Sequence, residues 1–334
     1  VSRDNNPVLQ VMNLHKVFNS GVRGVGGIRA VSDVTFTLQR RSVVAIVGES
    51  GSGKSTVARL IAGLLPPTSG QIWLDGQRVP QRMAFHQKRQ HRKNVQMIFQ
   101  DPFSALNPYY TVRYHLERSL RNLVQVPKAE IKARASEALE SVGLTPASDY
   151  LDKRPHELSG GQRQRLVAAQ ALIVEPKVIL ADEPTSMLDV SIRIGILNLM
   201  KRLKDENELS FVFITHDLAS ARYISDYILV MYAGRVIEYG KTDDVIDEPT
   251  HPYTRMLLAA VPDPKRLRGE RNERIPLVGE PPNLSQLPSG CHFHPRCPYA
   301  MPECREVMPV DHMLTPDHKV ACHLVKSQEA AANV

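Results

Sequence analysis

One stretch limits what this chain can fold into more than any other. The apolar run Val43–Val47 ends in Gly48-Glu49-Ser50-Gly51-Ser52-Gly53-Lys54-Ser55-Thr56. Its β-branched residues suit a buried strand, and Val57, Leu60, Ile61 and Leu64 then recur at helical spacing. That spacing predicts a helix over 55–65, stopped by Pro66 and Pro67. Between strand and helix the glycines let successive backbone N–H groups point at one anion, and the helix N-terminus adds partial positive charge. The stretch reads as a phosphate cradle in which Lys54 reaches the β- and γ-phosphates and the Ser55 hydroxyl ligates Mg²⁺. A Gly-rich turn that merely caps a helix is the bland alternative. A strand before it and a helix after it weigh against that.

The rest of the chain supplies further groups at strand and helix ends. Residues 9–18 and 30–38 read as strands, the second partly alternating like a half-buried antiparallel edge. A loop with Gly21, Gly24, Gly26 and Gly27 joins them, and Phe18 before it suits either a platform for a purine or a core position. A short strand over 71–74 and the turn Asp75-Gly76 come after the phosphate loop's helix. The run 95–99 ends in Gln100-Asp101-Pro102, so Gln100 sits where a strand gives way to a loop. From 103 to about 170 the pattern is helical and strand-poor, most strongly over 129–142, which predicts an inserted α-helical subdomain. Within it Leu158-Ser159-Gly160-Gly161-Gln162 again puts glycines at the opening of a helix, a second candidate anion site.

The run 178–183 reads as a buried strand ending in Asp182 and Glu183, where the ends of parallel strands face ligand. There Asp182 suits the Mg²⁺ shell and Glu183 suits orienting or deprotonating a water; alone, such a pair serves equally as a helix cap. Ser186-Met187-Leu188-Asp189 precedes an amphipathic helix over 190–203. The strand Ser210–Thr215 ends in His216, a polar contact for a phosphate or a cap neighbour.

A length of 334 residues suggests two domains. No apolar run approaches 18 residues and no basic segment leads into an apolar one at the N-terminus, so a cytoplasmic chain is expected. The net charge of +7 is dispersed except over 82–93, which reads as a solvated face and not as a nucleic-acid surface.

Taken together these residues resemble the nucleotide-binding subunit of ATP-binding-cassette transporters over about 8–250. Residues 48–55 look like the Walker A loop and Gln100 like the Q-loop. Residues 158–162 match the LSGGQ signature, 178–183 the Walker B strand, 186–189 the D-loop and His216 the H-loop. The resemblance implies an α/β P-loop NTPase cassette with a RecA-like core, an antiparallel β subdomain and an α-helical subdomain over about 103–170. It also implies a head-to-tail dimer with a second, commonly different, cassette and two ATP molecules between them. Each ATP would lie between Gly48, Ser50, Gly51, Ser52, Gly53, Lys54, Ser55 and Thr56 of one subunit and Ser159, Gly160, Gly161 and Gln162 of the other, with Asp189 nearby. By the same carry-over Glu183 is the catalytic base, His216 contacts the γ-phosphate, and Gln100 senses Mg²⁺ and the membrane partner. Phe18 stacks on adenine. Phe18 stands where tyrosine is common, Met187 where many members have alanine, and Gln170 where arginine is usual.

Composition shifts after residue 250. A short helix is expected from His251 to about Ala260, then a proline-rich run over 262–288. The chain's four cysteines, Cys291, Cys297, Cys304 and Cys322, all lie beyond it. A cytoplasmic setting argues against disulfides, and zinc prefers closer pairs. Four thiolates also suit a 4Fe–4S cluster, and free thiols remain open.

The segment 251–334 resembles the C-terminal extension of the oligopeptide and dipeptide importer branch, on His251-Pro252-Tyr253-Thr254 and the Gly-Cys-x-Phe-x-x-Arg-Cys-Pro pattern at 290–298. In that branch the cysteines accompany an iron–sulfur cluster. The branch implies an ATPase powering import of peptides, or else oligosaccharides or nickel, from the cytoplasmic face of the inner membrane. Two separate permease subunits and an extracytoplasmic solute-binding protein would complete it, with 103–110 as the permease groove. A soluble cassette ATPase of DNA repair or translation is the reading from another class; it would normally show a second cassette or heptads, and neither is present.

Overall fold

A computed structural model describes residues 6–19, 27–101, 105–260 and 279–325. Gly21, Gly24 and Gly26, residues 103–104 of the expected groove, and most of the proline-rich run lie outside the described residues.

Two sheets organise the fold. Strands β1 (Leu9–Phe18), β2 (Ile28–Leu38), β4 (Ser69–Leu74) and β5 (Gln77–Arg78) form an antiparallel sheet in the order β2-β1-β4-β5. The larger sheet also contains β3 (Val43–Val47), β6 (Val95–Ile98), β7 (Val178–Asp182), β8 (Ser210–Thr215), β9 (Tyr227–Tyr232), β10 (Arg235–Lys241), β11 (His312–Thr315) and β12 (His318–Val320). Its order is β11-β12-β10-β9-β3-β8-β7-β6. β9, β3, β8, β7 and β6 run parallel, and β10, β12 and β11 add antiparallel at one side.

The parallel strands read as unbroken apolar runs because both their faces are covered. In β3, Val43, Ala45 and Val47 enter the core layer shared with the helices of the 105–172 segment. Val44 and Ile46 enter the opposite layer, beneath the antiparallel sheet and the helix Lys54–Ile61. Strand β8 divides in the same way, with Phe211 and Phe213 on one face and Val212 and Ile214 on the other. This period of two places β3 in the middle of the molecule and delivers its C-terminal end, with the phosphate loop, to one edge of the sheet.

Between β6 and β7 the helices Val112–Ser119, Lys128–Ser141 and Gly160–Leu172 form the helical portion expected from the sequence. The helix after the phosphate loop corrects one expectation: it ends at Ile61 and not at 65. Gly63 takes φ +67°, and Leu64 N–H donates to Arg59 O at 2.9 Å, closing the helix before the prolines can act. Among the described residues no helix is long and apolar enough to cross a membrane.

The C-terminal segment is sewn into the larger sheet, an arrangement that its weak periodicity did not announce. β12 pairs with β10 through Glu238↔Val320 and Tyr239↔Lys319. At that seam Glu238, 1% exposed, accepts hydrogen bonds from Thr250 N–H at 2.8 Å and His251 N–H at 3.0 Å, with His318 Nε2 at 3.0 Å. His251 is itself fully enclosed, and burial pushes its imidazole down to about 4, so it stays neutral and accepts from Tyr253 N–H. Removing a buried carboxylate with three partners orphans all three, at a cost of about 3–5 kcal/mol. Glu238→Ala is therefore expected to lower the chemical-denaturation midpoint sharply, with protease cuts appearing first beyond residue 250.

Candidate nucleotide site

The phosphate loop borders an open cleft of about 760 Å³, lined by Ala30, Glu49, Ser50, Gly51, Gly53, Lys54, Ser55, Thr56, Gln100, Glu183, His216 and Leu284. Two of its glycines are obligatory on steric grounds. A Cβ on Gly48 would stand 2.2 Å from Met231 O, and one on Gly53 2.2 Å from Ala30 O, at φ +149° and +100°. The loop is pressed against β9 and β2, and only backbone fits there.

Lys54 is buried, and its Nζ donates to Gly48 O at 2.8 Å and Glu49 O at 2.7 Å. Burial lowers its pKa, opposed by the charges of Glu183, Asp182 and Glu49. Among the described residues the buried Ser52 hydroxyl has no hydrogen-bond partner. A buried ammonium bonded to two carbonyls and such a hydroxyl both suit an anion.

Ser55 Oγ donates to Asp182 Oδ1 at 2.9 Å. Burial raises the Asp182 pKa, and the Ser55 hydrogen bond works against that rise. These are hard oxygen donors, the ligand type Mg²⁺ takes, so the pair fits that ion. Glu183 begins the loop after β7 with φ +47°, its N–H donating to Ile214 O at 2.9 Å. Its two carboxylate oxygens face different partners: Gln100 Nε2 donates to Oε2 at 3.3 Å, and His216 Nδ1 lies 3.2 Å from Oε1. Residues from the ends of β3, β6, β7 and β8 thus converge, because parallel strands deliver their C-terminal ends to one edge.

Three predicted groups stand elsewhere. Ser159 caps its helix reciprocally, accepting from Gln162 N–H at 3.2 Å while Gln162 Oε1 accepts from Ser159 N–H at 2.9 Å. It is exposed and does not line the cleft; Gly160 and Gly161 lead from it into the helix, where a Cβ on Gly161 would meet Ile192 at 2.8 Å. Asp189 is likewise exposed, before the helix Val190–Asn207. Phe18 ends β1, half-buried, with Lys16 Nζ 5.1 Å from its ring centroid, and it does not line the cleft.

Comparison with known proteins decides the family. The ABC transporter family matches residues 31–186, and the oligopeptide/dipeptide transporter C-terminal region matches 237–304. The oligopeptide transport ATP-binding protein AppF of Bacillus subtilis is 42% identical over 321 residues, covering 95% of this chain and 97% of its own. The chain belongs to the ABC transporter family. The di/tripeptide transport ATP-binding protein DppF of Pseudomonas aeruginosa is 41% identical, over 90% of this chain and 91% of its own. Among solved structures, cbiO1 from Clostridium perfringens, part of an ABC transporter complex, superposes with a TM-score of 0.64 at 30% identity, covering 73% of this chain and 92% of that one. The dimeric ATP-binding cassette MJ0796 bound to ADP and Pi gives 0.62 at 30% identity, over 70% of this chain and 98% of that one. The ABC ATPase cassette with its α/β architecture is thereby established, joined to a C-terminal region of the oligopeptide/dipeptide type.

Among the described residues no group of three or more His, Cys, Asp or Glu side chains is arranged to hold a metal ion, which bears on the expected cluster and on the zinc alternative alike. Three histidines of the same segment have partners of their own: His294 Nδ1 with Cys291 O, His318 with Glu238, and His323 Nε2 with Val307 O. The four cysteines are free of disulfides, and burial together with mutual repulsion raises the thiols of Cys291 and Cys297 to about 11.

Sequence reasoning passed over Glu49, Tyr253, Leu284 and Arg296 as parts of this site. The carboxylate of Glu49 pairs with Arg296, and its N–H donates to Tyr253 Oη at 2.9 Å. Nothing local marks these residues, since their partners lie more than 200 positions away. Strand β9 was legible and missed: Tyr227–Tyr232 is an apolar run bounded by Ala233-Gly234.

Proposed function

We propose that this chain is the ATP-hydrolysing subunit of a peptide importer, working at the cytoplasmic face of the membrane through two permease subunits. The observation carrying the catalytic part is the Glu183 carboxylate, fixed between Gln100 and His216 at the edge of a cleft floored by Lys54. Relatives named for oligopeptide and di/tripeptide transport, matched over nearly the whole chain, support the peptide substrate.

In this reading the N–H groups of the loop, Lys54 and Ser52 cradle the β- and γ-phosphates, while Ser55 and Asp182 hold Mg²⁺, with Gln100 near it. Bound there, the ion neutralises charge on the phosphates. Glu183 takes the proton of the attacking water and His216 contacts the γ-phosphate. Positioning and charge supply the rate, with no covalent intermediate on the protein.

Ser159, Gly160, Gly161 and Gln162 serve the nucleotide of a second cassette, commonly a different one, with Asp189 at the same interface. Their distance from the cleft in one chain supports action in trans, as does the exposed apolar set Met187, Val190 and Ile194 beside them. Phe18 provides the adenine platform. Tyr109, 82% exposed, and the stacked Tyr110 and Tyr114 come after Gln100 and form the face offered to a permease. A solute-binding protein outside the membrane delivers the peptide.

Cys291, Cys297, Cys304 and Cys322 hold a 4Fe–4S cluster in this reading, and their donor chemistry is the support for it. The other three thiols bear on Cys291, those of Cys304 and Cys322 bear on Cys297, and Cys291 N–H donates to Cys304 O at 2.8 Å, holding two of the four together. Iron and acid-labile sulfide should both be found in anaerobically purified protein; absence of both removes the cluster.

The test of transport is ATP hydrolysis by the complex in proteoliposomes with its binding protein. Oligopeptides should stimulate phosphate release and enter the vesicle lumen. Stimulation by nickel or an oligosaccharide, with peptides inert, would overturn the peptide assignment.

A further inference from the structure

Glu49 brings a carboxylate into the phosphate loop. It sits directly after the first glycine, lines the cleft, and carries a negative charge into a site whose other features attract anions. The C-terminal extension answers that charge. Arg296 Nη1 donates to Glu49 Oε2 at 2.7 Å and its Nη2 to Oε1 at 2.9 Å, a two-pronged ion pair. The arginine side chain is 7% exposed, its guanidinium carbon lies 5.7 Å from the Tyr232 ring centroid, and Nη1 also reaches the Tyr232 hydroxyl at 3.3 Å. Tyr253 accepts from the Glu49 N–H, and Phe293 packs edge-on against both tyrosines with centroids 5.1 and 5.4 Å away. The fork is therefore held by a buried aromatic cluster on one side and grips the loop on the other.

From this arrangement we propose that Arg296 is a positioning residue for ATP: it neutralises Glu49 beside the phosphate loop, so the C-terminal extension sets nucleotide affinity. The inference rests on the reading of this cleft as the ATP site. An unpaired carboxylate in the lining of the cleft repels the phosphates across a partly buried path where water screens poorly. A guanidinium bonded through both prongs cancels that charge. Lysine in its place would keep the charge, while glutamine would keep much of the volume and lose it.

The experiment uses the full chain and Mg·ATP, with dissociation constants from titration of a fluorescent ATP analogue and thermal midpoints measured alongside. Arg296→Gln should weaken binding about tenfold, and Arg296→Lys should stay within about threefold of the wild type. Adding Glu49→Gln to Arg296→Gln should bring affinity back to within about threefold, because the unanswered charge is gone. A purely structural arginine predicts otherwise, and two results would overturn the proposal. One is a lowered midpoint in Arg296→Gln with unchanged affinity; the other is a double variant that binds no better than Arg296→Gln. A wild-type chain that fails to bind ATP would defeat the reading of the cleft, and this inference with it.

Discussion

Glu183→Gln should lower the rate of ATP hydrolysis by the assembled transporter by about 10²–10⁴-fold while leaving ATP binding intact. The amide keeps the shape of the side chain and its place between Gln100 and His216, where the carboxylate oxygens now lie 3.3 and 3.2 Å from their partners. It loses the basic lone pair that accepts the proton of the attacking water. The rate constant should therefore fall with little change in the ATP concentration giving half-maximal occupancy, and nucleotide should remain trapped in the complex. Phosphate release and retention of labelled ATP on the same preparation measure both. Hydrolysis at the wild-type rate would remove Glu183 as the base.

Lys54→Met should act in the opposite sense, on binding first. The ammonium is buried against Gly48 O and Glu49 O, and burial lowers its pKa. The sign comes from linkage: the folded-state pKa lies below the unfolded value, so holding the charged form in the folded chain costs stability throughout the range below the unfolded pKa. Removing the ammonium abolishes that cost, and water in the open cleft takes over the two carbonyls. The nucleotide-free chain should thus be as stable as the wild type or slightly more so. Affinity for Mg·ATP should nevertheless fall about 10²-fold, the upper end of what a hydrogen bond between charged groups contributes. Thermal midpoints with and without nucleotide separate the two effects: at one ATP concentration the wild type should gain clearly more than the variant. A variant that still gains the same shift would show that Lys54 does not contact the phosphates. The stability spent on a buried ammonium is recovered only with ligand, a pattern expected of a binding group and not of a core one.

Local pattern carries far where the neighbours of a short sequence impose its geometry. The phosphate loop, the Asp182-Glu183 strand end and His216 were legible for that reason. An unbroken apolar run makes a strand buried on both faces, and the residues next in the chain must emerge at the strand's end. The capped helix at Ser159 was equally legible, since Gln162 returns the hydrogen bond within a single turn. The end of the helix after the phosphate loop was misjudged because prolines at 66 and 67 are louder signals than Gly63, whose left-handed φ closes the helix first.

The sequence by itself determined that the phosphate loop, Gln100, Glu183 and His216 follow the ends of strands, where the structure gathers them on one cleft. Periodicity and turn chemistry act over a few residues, and these motifs need no more. Only the tertiary structure decided that Glu238 joins His318 across 80 positions, that β12 extends the main sheet, and that Arg296 answers Glu49 across 247. The physical reason is that a strand edge or a buried charge is satisfied by whatever the fold brings beside it. A pairing at such separation leaves no periodic trace in either partner's local sequence, so it becomes visible only when the chain has closed on itself.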